Sequence, residues 1–424
     1  MRNITTSLSD QADSNAPPRP SPFPDLIPSG KAAKPTMERE YLNFAAGTGA
    51  LNYGQSNPFI QKEIMAYLMK NGIGHGRDLY TVAKDEFLHT FHTSILQAKS
   101  LDYQVMICGP TGSSAVEDAL GISRKIKKRD GIFAFTGGFH GLSQGSLAVT
   151  AHRERRQAAG GQPANVTFMP YPTDFPWDTI AYMEQMLGDV YSGVDKPAAV
   201  IVETIQTEGG IHLAPAEWLW RLRELCDRHD ILLICDDSYV GCGRTGAFFS
   251  FEEAAIVPDM VVLSHSIGGY GQPMSLLLVK SELDVSQAVQ PGAIYRAHHL
   301  AFAGAIAALK YRDELELDTE VKAKGQFVSR YLTEWIAPLH PCIQVRGKGL
   351  IWGIDLSRFG EDAGPLAQSI TARCNELGLV IVCVGRKYTV IKLMPRLTIG
   401  FDQLEKGCDI LRTAIMECIG EQSC

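Results

Sequence analysis

Two side chains that can exchange protons follow apolar runs typical of buried strands. Asp236 ends a run that begins at residue 231, and His265 comes two residues after the run at 260–263. Ligands in open α/β sheets bind beyond the carboxyl ends of the strands, which makes a carboxylate there a site candidate. An imidazole exchanges protons near neutral pH. We therefore expect Asp236 and His265 on neighbouring strand ends, facing one pocket.

A glycine-rich turn at residues 109–117 joins a predicted strand to a predicted helix at about 114–128. Glycines let the backbone approach an anion, and a helix N-terminus offers unpaired N–H groups and the positive end of the helix dipole. Gly112 and Ser113 are candidates for direct contact with a phosphate. A plain strand-to-helix turn with a serine N-cap explains the same residues, and the turn alone does not separate the two interpretations.

Strands and helices alternate along the chain. Strands are predicted at residues 105–108, 131–135, 199–202, 231–234, 260–263 and 275–279. Nearly continuous apolar runs separated by helices indicate an α/β fold, with a large, mostly parallel sheet covered by helices on both faces. A smaller C-terminal α/β unit follows, with helices at about 318–336, 364–377 and 402–419 and strands at 353–356 and 380–382.

These elements divide the chain into four parts. Residues 1–36 are rich in Ser, Pro, Asn and Asp and lack a periodic apolar face, which predicts a flexible tail. An N-terminal segment at 37–80, a large domain at 81–310 and a small C-terminal domain at 311–424 follow.

The amino-acid composition narrows the classes of molecule that the protein is expected to bind. A formal net charge of −7 argues against nucleic acid or an anionic membrane. No apolar run approaches the ~20 residues that span a bilayer. The first residues lack the pattern of a secretory signal, so a cytoplasmic location is expected. The ten cysteines include no C-x-x-C pair and are expected to be free thiols.

Residues 233–246 and 258–269, with the turn at 109–117, resemble the class III aminotransferases, which are fold-type I enzymes that use pyridoxal phosphate (PLP). The resemblance covers about residues 40–420. Within that family, segments 50–54, 109–112 and 271–275 resemble the diaminobutyrate aminotransferase branch, which includes the ectoine-pathway enzyme. The resemblance implies a fold-type I architecture, a cofactor-binding large domain, a small-molecule substrate and a homodimer with a shared active site.

The resemblance also assigns roles around the cofactor. Gly112 and Ser113 match the phosphate cradle, and Phe139 matches the aromatic residue that stacks on the pyridine ring. Asp236 matches the aspartate that pairs with the pyridine nitrogen and keeps the ring an electron sink. His140 is either a cofactor contact or a structural histidine.

Three charged residues match positions near the substrate. Glu203 and Glu208 match acidic positions on the substrate side, with structural ion pairs as the alternative. Lys392 stands where many family members have a carboxylate-binding arginine. The diaminobutyrate branch already has lysine at this position, so Lys392 does not distinguish this chain from members of that branch.

The departures from the family pattern concentrate in the same pocket. His265 stands at the position of the lysine that forms a Schiff base, and an imidazole cannot form that bond. Ser238 stands where the family has a branched aliphatic residue that covers the second face of the cofactor ring, so Ser238 is a candidate cofactor contact. Tyr239 replaces a glutamine that hydrogen-bonds the phenolic oxygen of the ring. Ile294 replaces a threonine that reaches the phosphate from the partner subunit, and residues 297–299 (Ala-His-His) replace Gly-Asn-Asn. These substitutions lie in one pocket while the rest of the family pattern is retained. This distribution favours natural divergence towards another chemistry.

One hypothesis keeps the cofactor. Pyridoxamine phosphate (PMP) or PLP then binds noncovalently, and His265 acts as general acid–base, with Tyr239 as a second catalytic candidate. The deoxysugar 3-dehydratases, in which histidine also replaces the lysine, are the precedent by resemblance. Elimination, decarboxylation and half-transamination of a small amino or keto acid are all open.

A second hypothesis abandons PLP. His265, His298 and His299, with Tyr239, then ligate a metal or haem, or shape a new small-molecule pocket. Adjacent His298 and His299 point in different directions, which argues against one shared ion. A third hypothesis is a non-catalytic partner of an active paralogue.

Overall fold

The computed structural model describes residues 41–76, 79–160, 165–285, 296 and 298–420. The predicted tail at 1–36 and Ile294 lie outside these residues. The described strands are β1 (Leu42–Asn43), β2 (Tyr103–Gly109), β3 (Ile132–Phe135), β4 (Val166–Met169), β5 (Ala199–Val202), β6 (Ile205–Gln206), β7 (His212–Leu213), β8 (Leu232–Asp236), β9 (Met260–Leu263), β10 (Ser275–Lys280), β11 (Gln344–Lys348), β12 (Ile351–Asp355), β13 (Leu379–Val380), β14 (Val382–Val384) and β15 (Val390–Leu393).

The described α-helices follow the predicted alternation. They are α1 (Pro58–Met69), α2 (Val82–Phe91), α3 (Gly112–Lys127), α4 (Gln144–Ala148), α5 (Arg153–Ala158), α6 (Thr179–Gly188), α7 (Thr207–Gly210), α8 (Ala216–Arg228), α9 (His299–Glu314), α10 (Leu317–Tyr331), α11 (Ala363–Glu376) and α12 (Phe401–Ile419).

The large sheet has seven strands in the order β2-β10-β9-β8-β5-β3-β4. Six of the seven strands run in the same direction and β10 runs in the opposite one, so the prediction of a mostly parallel sheet is confirmed. The sequence interpretation missed β4, an edge strand that is only partly buried and carries a threonine in the middle of its short apolar run.

The central strands are apolar throughout because both faces of the sheet are covered. Along β8, Leu233 and Cys235 point into one hydrophobic core, whereas Leu232 and Ile234 point into another. This alternation follows from the two-residue period of a strand. The same two-sided burial fixes β8 and β9 side by side, with Asp236 opposite Val262.

The C-terminal unit contains an antiparallel sheet in the order β11-β12-β15-β14, which packs with α10, α11 and α12 around a separate core. The predicted strand at 380–382 is divided at Ile381 between β13 and β14. The predicted domain boundary at 310/311 falls inside α9. Phe302 and Leu309 of that helix lie in a core of the large sheet, whereas Ala303 and Ala307 lie in the C-terminal core, so α9 packs in both.

The cysteines largely follow the expectation of free thiols. Eight described cysteines are free. The ninth, Cys342, is disulfide-bonded, and the expectation is wrong for it. Among the described residues, no helix combines the length and the apolar character needed to cross a membrane.

A close backbone contact joins α9 to the loop that carries His265. A Cβ atom on Gly304 would lie 2.7 Å from the carbonyl oxygen of Gly268, and one on Gly269 would lie 2.2 Å from that of Gly304. Since real Cβ atoms do not approach so closely, glycine at both positions lets the helix rest directly on the loop.

We expect Gly304→Ala to destabilise the protein, because an overpacking cost of about 1–3 kcal/mol exceeds the helix-propensity gain of up to about 1 kcal/mol. Gly121→Ala, inside α3 with no atom within 4 Å of the added Cβ, is the matched control and should be slightly stabilising. Denaturant unfolding measures both. A Gly304→Ala protein as stable as Gly121→Ala would contradict this contact.

Candidate functional site

The carboxylate of Asp236 is held from both sides at the end of β8. Its Oδ2 lies 2.7 Å from Nδ1 of His140, and its Oδ1 accepts a 2.6 Å hydrogen bond from the Ser238 hydroxyl. The His140 and Asp236 side chains are 1% and 4% exposed. Since an ionised carboxylate only accepts hydrogen bonds, Nδ1 of His140 carries the proton in this contact. Of the two roles left open for His140, the structure favours support of Asp236.

His265 adopts a left-handed backbone conformation with φ 54°, two residues after the end of β9. A non-glycine residue in this region carries a strain of about 1–3 kcal/mol, which is a feature of functional loops. The Nδ1 atom of His265 lies 2.9 Å from the carbonyl oxygen of Ser238. A carbonyl only accepts, so Nδ1 donates, and Nε2 of the neutral ring is left as the proton acceptor.

The surroundings keep the His265 ring neutral. Burial lowers the pKa of His265, against the opposing influence of the Ser238 carbonyl and of Asp236. A lowered pKa leaves the imidazole unprotonated at neutral pH, so the ring is ready to accept a proton rather than to donate one.

Two aromatic rings form a wall beside this imidazole. The ring centroids of His265 and Tyr239 lie 4.7 Å apart, and those of Tyr239 and Phe139 lie 6.4 Å apart in an edge-to-face arrangement. Burial raises the pKa of Tyr239 well above its ordinary value, so its phenol stays protonated. The guanidinium of Arg155 lies over Phe139, with its Cζ atom 5.0 Å from the ring centroid.

Glu203 does not present a free carboxylate to a substrate, contrary to the sequence interpretation. Its Oε1 accepts a 2.8 Å hydrogen bond from the backbone amide of Phe139, and its Oε2 accepts a longer one of 3.4 Å from Thr207. Burial, with the nearby Asp236, raises the pKa of Glu203 well above its ordinary value. Glu203 therefore holds the backbone of the Phe139 loop.

Glu208 and Lys392 form an ion pair in which Nζ lies 3.0 Å from Oε1. The lysine side chain is 2% exposed and the glutamate 27%. Lys392 lies on β15 and Glu208 on α7, so the pair ties the C-terminal sheet to the segment between β6 and β7. The structure agrees with the alternative of an ion pair for Glu208.

The turn before α3 lies against the Asp236 loop. A Cβ atom on Gly112 would lie 3.1 Å from the Ser238 hydroxyl and 3.3 Å from Cβ of Ser264, so a larger residue would crowd this position. The first amides of a helix lack acceptors within the helix, which leaves Gly112 and Ser113 suited to an anion. The Ser113 hydroxyl accepts a 3.2 Å hydrogen bond from Leu142 N, which links the turn to the Phe139 loop.

The two histidines near the start of α9 differ in their side-chain contacts. The Nε2 atom of His299 lies 2.7 Å from the Thr81 hydroxyl, and this side chain is fully buried. The backbone of His298 forms an antiparallel bridge with His75, and Nδ1 of the His298 ring has no hydrogen-bond partner among the described residues. Within the part of the chain that the structure describes, no group of three or more His, Cys, Asp or Glu residues is arranged to hold a metal ion. The metal hypothesis therefore gains no support from these residues.

Sequence reasoning missed Arg155. No motif contains it, and the only signal was the arginine-rich stretch at 153–156. It also missed the buried carboxyl of Asp237, beside Asp236. Oδ2 of Asp237 accepts a hydrogen bond from Ser250 N, whereas Oδ1 has no partner among the described residues.

Comparison with known proteins identifies related chains. The family model described as aminotransferase class III matches residues 30–415. A diaminobutyrate–2-oxoglutarate transaminase from Bordetella parapertussis is 45% identical over 388 residues, which are 90% of this chain and 88% of the relative. One from Halomonas elongata is 41% identical over 420 residues, which are 97% and 99% of the two chains.

A structural neighbour supports the fold. The taurine:2-oxoglutarate aminotransferase from Bifidobacterium kashiwanohense, in complex with PLP and glutamate, superposes with a TM-score of 0.78 at 22% identity, covering 90% of this chain and 89% of the neighbour. The predicted fold-type I architecture is confirmed.

Asp237 should make stability fall as pH rises. Burial raises its pKa from 3.8 to about 7 in the folded protein, so the folded state binds the proton more tightly than the unfolded state. The resulting stabilisation is present at low pH and is lost as pH rises towards 7. Asp237→Asn does not titrate, so its stability relative to the wild type should increase by about 3 kcal/mol from pH 5 to pH 8.

Unfolding titrations at several pH values measure this difference. Asp178→Asn is the control of opposite sign, because hydrogen bonding to Arg221 lowers the pKa of Asp178. If the free energies of unfolding of the wild type and of Asp237→Asn changed equally between pH 5 and pH 8, the raised pKa of Asp237 would be contradicted.

Proposed function

The chain belongs to the class III aminotransferase family, and on that premise we propose that it binds PMP or PLP noncovalently and acts on a small amino or keto acid, with His265 as general acid–base. The family implies PLP and amino-group transfer. The observation that carries the finer proposal is the Ser238 carbonyl, which accepts from Nδ1 of His265 and leaves Nε2 as the basic atom.

The residues of the pocket fit such a cofactor. Phe139 offers a flat apolar face, Asp236 an anion and the start of α3 a set of amides for a phosphate. Gly112 is a position that a Cβ atom would crowd against Ser238 and Ser264. When bound, the cofactor supplies an electron sink for charge that develops on the substrate.

Ser238 couples the two halves of the pocket. Its hydroxyl donates to Asp236, and its carbonyl accepts from His265. Ser238 thus orients the anion and selects the tautomer of the base. The proton taken from the substrate moves to Nε2, and the protonated ring can return it to another atom. Tyr239, whose phenol burial keeps protonated, can donate a hydrogen bond to a substrate beside the same ring.

We also propose a homodimer in which the partner reaches the site. Class III enzymes are typically dimeric, and one stretch of this chain carries an apolar face of seven side chains that are 47–83% exposed. They are Met65, Leu68, Met69, Ile73, Leu79, Tyr80 and Val82. Such a face is unusual on a monomer. It adjoins the segment expected to act in the partner, since His299 N donates to Gly74 O at 3.4 Å.

The His265 proposal is tested by exchanging the side chain. Wild-type protein should bind PMP without any borohydride-reducible bond to the chain, and His265→Lys should form such a bond with PLP and absorb accordingly. His265→Gln should still bind PMP but lose about 100-fold or more in turnover, as expected for loss of an acid–base group. Absorption spectra, mass spectrometry after reduction and single-turnover kinetics provide the measurements.

The pH profile gives an independent readout. Because His265 acts as a base and its pKa is lowered, activity should rise with pH through a value below the ordinary 6.5 and then stay level. His89→Gln, at an exposed histidine on α2, is the control and should leave the profile unchanged. Wild-type protein that binds neither vitamer would refute the proposal.

The apolar face is tested with two methionines of equal exposure. Met65 lies on α1 within the face and Met416 lies on α12 outside it, and both are 56% exposed. Met65→Asp should dissociate the dimer and weaken PMP binding together, because the partner completes the site, whereas Met416→Asp should change neither. Sedimentation and fluorescence titration measure the two effects. A monomeric Met65→Asp protein with full PMP affinity would contradict a shared site.

A further inference from the structure

Helices α10 and α12 border a groove with aromatic walls on the C-terminal unit. Phe327, Tyr331 and Trp335 lie along one face of α10 and of the short π-helix Leu332–Ile336 that continues it, because residues four apart share a helix face. The Phe401 ring at the start of α12 meets the Phe327 ring edge to face, with 5.9 Å between the centroids. The groove has a volume of about 420 Å³. The residues that line it are Phe327, Arg330, Tyr331, Glu334, Trp335, Glu405, Asp409 and Arg412, and with Phe401 they define the aromatic groove.

Two rings of the aromatic groove are exposed and held in place. Trp335 is 50% exposed and Phe401 is 44% exposed. The guanidinium of Arg412 lies over one face of the indole of Trp335, with its Cζ atom 5.0 Å from the ring centroid. The Tyr331 hydroxyl donates to Oδ1 of Asp409, which joins the two walls. Rings that are already oriented lose little side-chain entropy when an apolar ligand packs on them.

The charges of the aromatic groove argue against a second copy of this chain as its ligand. Five of the eight lining residues are charged, whereas the centres of subunit interfaces are depleted of charged residues. Glu334 and Glu405 form no ion pair with a described residue, while Arg412 is engaged by Trp335. Three acids against two arginines leave a net charge of −1. The groove therefore suits a narrow apolar segment that carries a positive charge.

The chain itself contains such a segment, before the first described residue. Five of the eight residues at 17–24 are proline, and Arg19 is the only charged residue between positions 14 and 24. Proline-rich sequences favour the polyproline II helix, which has three residues per turn and free backbone carbonyls. In that conformation Pro17, Pro20 and Phe23 share one apolar edge, and Arg19 lies on another. Grooves lined by aromatic residues bind proline-rich segments in this way.

The path of the chain brings this segment within reach of the aromatic groove. Tyr41, the first described residue, lines a cavity together with Gln403 in the first turn of α12. The 16 residues at 25–40 can span at most about 55 Å. Helix α12, with 19 residues, is only about 28 Å long. We propose that residues 17–24 dock in the aromatic groove of the same chain, with their apolar edge against the rings and Arg19 beside the unpaired acids.

A labelled peptide with the sequence of residues 14–26 tests the docking on the full-length protein. The protein's own segment competes with the peptide at an effective concentration in the millimolar range, so wild-type protein should bind the peptide weakly. Arg19→Glu in the protein should strengthen binding of the unchanged peptide by about 3-fold or more, because the competing segment loses a surface ion pair. This variant weakens the competitor and leaves the groove intact. Fluorescence anisotropy measures the affinities.

Two tryptophans of nearly equal exposure provide matched variants of the groove. Trp335 is 50% exposed, and Trp220 on α8, outside the groove, is 48% exposed. In the Arg19→Glu protein, Trp335→Ala should weaken peptide binding by about 30-fold, as for a tryptophan at the centre of an interface, whereas Trp220→Ala should leave it unchanged. Trp335→Phe, which keeps an aromatic ring, should retain most of the affinity.

A photoreactive benzoyl group on the ring of Phe23 shows where the segment binds. Crosslinks within one chain to residues 327–335 or 401–412 support the proposal, whereas crosslinks that join two chains, or that lie elsewhere, overturn it. Equal affinities of the wild-type and Arg19→Glu proteins for the peptide also overturn it, as does peptide binding that Trp335→Ala leaves undiminished. Neither experiment uses a vitamer or a substrate, so the docking and the proposed function can each fail alone.

Discussion

The parallel register between β8 and β9 is the constraint on which the pocket depends. Because Asp236 lies opposite Val262, the loops after the two strands begin at the same edge of the sheet. Ser238 can then donate to Asp236 and accept from His265. A shift of one residue would turn Asp236 to the other face of the sheet, because strand side chains alternate. The two hydrophobic cores that flank the sheet oppose such a shift, since it would exchange every side chain between them.

Most central strands of the large sheet can be predicted from the sequence because of how they are buried. Central strands are buried on both faces, so their residues form short apolar runs that are easy to recognise, as in β5 and β9. The edge strand β4 lacks that signal because one side is only partly covered. The direction of β10 was not predictable, since an apolar run in the middle of a sheet reads the same whether its hydrogen bonds are parallel or antiparallel.

The sequence predicted only those site residues whose positions follow from the ends of the strands. Asp236 and His265 were expected together because neighbouring parallel strands end at one edge. The contact between His140 and Asp236 joins residues 96 positions apart, and the path of a loop decides it. Glu203 shows the same limit, because a motif identifies an acid but not whether its oxygens face solvent or backbone amides.

Helix α9 has a mechanical consequence. Side chains of α9 pack in the core of the large sheet and in the core of the C-terminal unit. A movement of α9 with one of these units would therefore disturb its packing in the other. Relative motion of the two units must therefore proceed by shear along the helix surface rather than by a free hinge at its end. Gly304 touches the loop at Gly268 and Gly269 backbone to backbone, with no flexible side chain between them. A displacement of α9 would therefore also displace the backbone of the loop that carries His265.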